Sequence, residues 1–99
     1  MGTESFTVKG SPKAVAQKAL GLMKRARLKN FKLKESGMAQ RDEGFVASAR
    51  WEEDAMFFAG SVELRVEARR AYDGGATQVV IEASDDRGSA LTARLRRSL

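Results

Sequence analysis

The stretch SVELRVEARRAYDGGATQVVIEAS, Ser61 to Ser84, decides the fold. Its first part alternates without a break: Val62, Leu64, Val66 and Ala68 are apolar, and Glu63, Arg65, Glu67 and Arg69 stand between them. Successive side chains of a strand point to opposite faces, so Ser61 to Arg69 reads as a strand with one dry and one wet face. Asp73-Gly74-Gly75 offers residues that accept positive φ, as a tight reversal requires. Thr77 to Ser84 then returns antiparallel, with Val79, Ile81 and Ala83 on the dry side.

Moving upstream, Gly44 to Trp51 is another strand, with Phe45, Ala47, Ala49 and Trp51 facing one way. Between these strands lie the acidic turn Glu52-Glu53-Asp54 and the apolar run Ala55 to Gly60. Phe31 to Glu35 alternates as well and is expected to end at Gly37, with Lys32 and Lys34 opposite Phe31 and Leu33. Ser5 to Val8 is a short strand with Phe6 and Val8 on one side. Between these two strands the period changes. Ser11 can cap a helix with Pro12 in its first turn, and Val15, Ala16, Ala19, Leu22, Met23 and Ala26 recur at helical spacing to about Leu28. At the other end of the chain, Leu91, Leu95 and Leu99 stand four apart. Leu91, Ala93 and Leu95 also alternate, but Ala, Leu and Arg are strong helix formers, and late arginines suit a helix C-terminus, so a helix is expected over 90–99.

The order is β-α-β-β-β-β-α. It implies one α+β domain over residues 1–99: an antiparallel sheet covered on one face by the two helices. With its Gly-Gly hairpin and closing helix, this order is similar to a shortened helix-grip domain of the START kind, and more loosely to one TATA-binding-protein repeat. The likeness lies in the order of elements, and no functional residue is carried over from it. Independently, the apolar tripeptide Met56-Phe57-Phe58 beside the acidic run reads as an interface patch or as the lid of a small apolar-ligand module of helix-grip-like shape, although edge core accounts for the same three residues.

Composition narrows the chemistry. The 99 residues include neither Cys nor His, which removes thiolate and imidazole, the groups most used for proton transfer, nucleophile activation and soft-metal ligation at neutral pH. None of the eight serines has Lys three residues on, so a Ser-x-x-Lys nucleophile is absent. Neither G-x-x-x-x-G-K nor G-x-G-x-x-G occurs. Glu52, Glu53, Asp54, Asp85 and Asp86 are carboxylates at strand ends, where solvated turns normally carry them. The expectation is no enzyme, no cofactor and no metal. The N-terminal residues show neither an export signal nor a myristoylation pattern, and no apolar run is long enough to span a membrane, so a cytoplasmic setting is expected.

Charge is the one unusual feature. Residues 1–34 hold nine Lys or Arg against the single acid Glu4, a net +8, while 35–99 hold nine against twelve, a net −3. A solvated helix usually mixes signs to gain i,i+4 pairs. Here Lys13, Lys18, Lys24 and Arg25 follow one another on the first helix with no acid among them, and Lys29, Lys32 and Lys34 continue the run. Such a run is either a plain solvated face or an electrostatic footprint for an anionic partner: nucleic acid, an acidic protein surface or anionic headgroups. Homodimerisation through a sheet edge or the Leu91, Leu95, Leu99 stripe is a third reading.

Overall fold

A computed structural model describes residues 2–53, 60–71, 75–85 and 88–99. Its elements are β1 (Gly2–Lys9), α1 (Pro12–Arg25), β2 (Phe31–Arg41), β3 (Gly44–Glu53), β4 (Ser61–Arg70), β5 (Ala76–Ala83) and α2 (Ser89–Ser98), in the predicted order. The strands make one antiparallel sheet, β1-β5-β4-β3-β2. β1 and β2 are thus opposite edges, four strand spacings or about 19 Å apart. A 14-residue helix spans about 21 Å, so α1 carries the chain across the sheet and covers its dry face on the way.

The dry face is built from cross-strand rows. Leu33, Trp51 and Val62 are partners across β2, β3 and β4. Ser36, Ala49, Leu64 and Ala83 form the next row, Met38, Ala47, Val66 and Ile81 the one after it, and Phe45, Ala68, Val79 and Phe6 another. Val15, Ala16, Ala19 and Met23 of α1 are buried in the same core cluster. Ala47, Ala49 and Ala68 belong to the strand side of that cluster; their small side chains let the helix backbone come close, while Met23 and Trp51 fill the space at its far end. α2 completes the cover with Leu91 and Leu95.

Two sequence expectations are corrected. The first helix stops at Arg25, not near Leu28: Ala26 is already extended at ψ 145°, and Asn30 takes φ 68° before β2 begins. Ala26 and Leu28 remain half-buried while Arg27 and Lys29 are exposed. An extended segment with period two therefore satisfies the same apolar residues that had suggested helix. β2 does not end at Gly37 but runs to Arg41, where Asp42 and Glu43 turn the chain into β3. A bulge between Leu33 and Glu35 shifts the register, so that the facing alternates anew: Phe31 and Leu33 face the helices before it, and Met38 does so after it.

Local chemistry fixes the junctions. The Ser11 hydroxyl accepts from the Ala14 N–H at 3.2 Å and caps α1. The Thr77 hydroxyl is fully buried and donates to the Gly10 carbonyl at 2.6 Å, clasping the start of β5 to the β1-α1 turn. Glu4 lies on the dry side of β1, opposite Ile81. Arg96 of α2 reaches it at 3.7 Å and sits 5.7 Å from the centre of the Phe6 ring, so one guanidinium ties α2 to the edge strand.

Candidate functional site

The basic residues of α1 are all exposed, and helix geometry sorts them into two ridges. Eleven residues on, Lys24 returns to within about 20° of Lys13; Arg25 comes equally close to Lys18, and the two pairs lie about 120° apart. Between the ridges run Ala14, Gln17 and Gly21. Arg25 folds over that strip: its Nε donates to the Gly21 carbonyl at 3.2 Å. A Cβ on Gly21 would stand 3.9 Å from the Arg25 guanidinium, an ordinary van der Waals contact.

Pairing distinguishes the central wet-face arginines from the cations of α1. On the wet face of the sheet, Arg50 bonds Glu35 at 3.1 Å and approaches Glu52 at 3.5 Å, while Arg65 and Arg69 flank Glu67 at 3.0 and 3.9 Å. These arginines are neutralised in place. Lys13, Lys18 and Lys24, by contrast, make no ion pair or hydrogen bond to any described residue. Lys29 in the loop and Lys34 beside the bulge are likewise unpaired among the described residues.

The predicted block is not a single surface. Lys32 pairs in register with Glu52 and is exposed, on the side of the sheet away from α1. It is not free of partners. The cluster brought together on the helical side is therefore Lys13, Lys18, Lys24 and Arg25, with Lys29 at its end. Two members were missed in the sequence. Arg94 and Arg97 of α2 are exposed and unpaired among the described residues, and α2 covers the same sheet face as α1. The legible signal was that residues 13–30 and 89–98 contain no acid at all.

The other sequence candidates fare differently. Met56, Phe57 and Phe58, the proposed lid, lie outside the described residues, as do Asp54, Asp86 and the Asp73-Gly74 part of the hairpin turn. The space under α1 is occupied by Met23, Trp51, Leu64 and Val66, each no more than 1% exposed. Open grooves of about 760 Å³ flank the β2-β3 hairpin instead, one on the wet face beside Arg65 and Arg69 and one between the hairpin and Ser11 to Lys13. Leu91 and Leu95 of the C-terminal stripe are spent in the core. Among the described residues, no three acidic side chains converge on a point that could hold a metal ion, and no helix is long and apolar enough to cross a membrane.

Compared with protein-family models, curated proteins and solved structures, the chain matches none.

Proposed function

We propose that this domain is a non-enzymatic binding module that docks an anionic partner on the outer surface of α1. One observation carries the reading: Arg50, Arg65 and Arg69 on the wet face are paired with glutamates, whereas Lys13, Lys18 and Lys24 of α1 have no counter-charge among the described residues. Unpaired cations held on one rigid helix repel one another and attract a condensed layer of anions. A polyanion relieves that repulsion and gains entropy as its own counterions are released. Nucleic acid, an acidic protein surface and anionic headgroups all supply such charge.

The test is retention on an immobilised sulfated polysaccharide at low salt. The native chain should bind and elute as salt rises, because surface electrostatics are screened within about 10 Å at 0.1 M. The triple reversal Lys18→Glu, Lys24→Glu, Arg25→Glu should flow through while melting near the native temperature, since all three side chains are exposed. Failure of the native chain to bind, or native-like retention of the folded reversal, overturns the proposal.

A further inference from the structure

We infer that the anionic partner is the sugar-phosphate backbone of a double-stranded nucleic acid, and that α2 shares in holding it through Arg94 and Arg97. This deepens the reading above and rests on it. Both helices lie on one face of the sheet and neither carries an acid. Of the three arginines of α2, Arg96 is committed to Glu4 and Phe6, which leaves Arg94 and Arg97 facing water without partners among the described residues.

What lies between the cations selects among polyanions. An anionic membrane is best held by a helix that also inserts apolar side chains. Here the apolar side of α1 is consumed by the core, and its outward positions between the ridges are Ala14, Gln17 and Gly21. Protein hot spots need bulky anchors such as Trp or Tyr, and neither helix contains an aromatic residue. The same absence argues against single strands, whose bases stack on exposed aromatic platforms. Phe6, Phe31 and Phe45 are half-buried and Trp51 is 1% exposed, all within or against the core. Two cationic ridges about a low strip suit a stiff, evenly charged rod. Gln17 is the only amide side chain on α1, so amide readout of adenine is confined to one position and the surface is dominated by cations of the kind that contact phosphates.

Fluorescence anisotropy decides this, using labelled DNA and RNA duplexes of about 20 base pairs, a single strand of equal length, and phosphatidylserine vesicles, each over a salt series. A duplex should bind best, with little dependence on its base sequence, and about five phosphate contacts give a log-log salt slope of about −4 to −5. Whichever duplex binds more tightly names the source of the backbone. Arg94→Gln with Arg97→Gln should flatten the slope by about 2 without moving the melting temperature. Tighter binding to the single strand or the vesicles overturns the duplex assignment while leaving an anionic partner in place. An unchanged slope in the folded double variant removes α2 from the surface. Absence of binding to every polyanion removes both proposals together.

Discussion

Gly44 is where the sheet leaves least room, and replacing it tests the packing argument directly. It opens β3 opposite Arg69 of β4. A Cβ built there runs into the Ala68 carbonyl oxygen and comes within 3.0 Å of both the Ala68 carbonyl carbon and the Arg69 Cα. Carbon atoms prefer about 3.5–4.0 Å, and here the obstacle is backbone, which has no rotamer to yield. Gly44→Ala must therefore pry β3 from β4 at this end. Overpacking costs about 1–3 kcal/mol, and each ladder hydrogen bond that stretches adds about 1 kcal/mol. We expect about 2–4 kcal/mol in total. At roughly 4–8 °C per kcal/mol for a domain of this size, the melting temperature should fall by about 8–32 °C. Trp51, the only tryptophan and buried, reports the transition by fluorescence in a urea titration. Gly37→Ala is the control: nothing lies within 4 Å of its Cβ position, and it should stay within about 0.5 kcal/mol of the native chain. A Gly44→Ala variant as stable as that control would refute the account of β3-β4 contact.

Met23→Ala empties a fully buried position between α1 and the sheet and should cost about 2–5 kcal/mol by chemical denaturation. Ser11→Ala removes the α1 cap and should cost about 0.5–2 kcal/mol. Ser11→Asp should retain the stability, because the first turn of α1 has no acid to meet the helix dipole. Thr77→Val leaves the Gly10 carbonyl without its side-chain donor and should cost about 1–2 kcal/mol, with Thr77→Ser recovering part of it. The Glu4–Arg96 pair is partly exposed, with side chains 38% and 56% accessible. A double-mutant cycle should find a coupling below about 1 kcal/mol that shrinks with added salt; a coupling of several kcal/mol would mean that the pair behaves as buried.

Much of the architecture was legible because alternation and helical spacing are properties of the chain itself. Val62 to Ala68 and Val79 to Ala83 announce a two-faced hairpin, and the same residues are buried in the sheet. The end of α1 was misread because Ala26 and Leu28 satisfy either period, and only the need to deliver the chain to the edge strand selects the extended one. The length of β2 was misread because Gly37, taken as a stop, sits in a ladder whose partner Ser48 supplies the pairing. Glu4 stood out in the sequence only as the single acid of residues 1–34. Its place on the dry side follows from the β1-β5 register and the reach of Arg96, neither of which a local reading contains.

By itself the sequence determined the α+β class, the order of elements, the absence of thiol and imidazole chemistry and the excess of positive charge near the start, since all of these are local or compositional. Only the tertiary structure decided which cations lie together. It set Lys32 on the far side of the sheet and gathered the arginines of α2, some seventy residues away, onto the same layer as α1. The physical reason is that charges interact through space over about a Debye length, and the neighbours of a side chain in space are chosen by strand pairing and by the apolar face that both helices must cover.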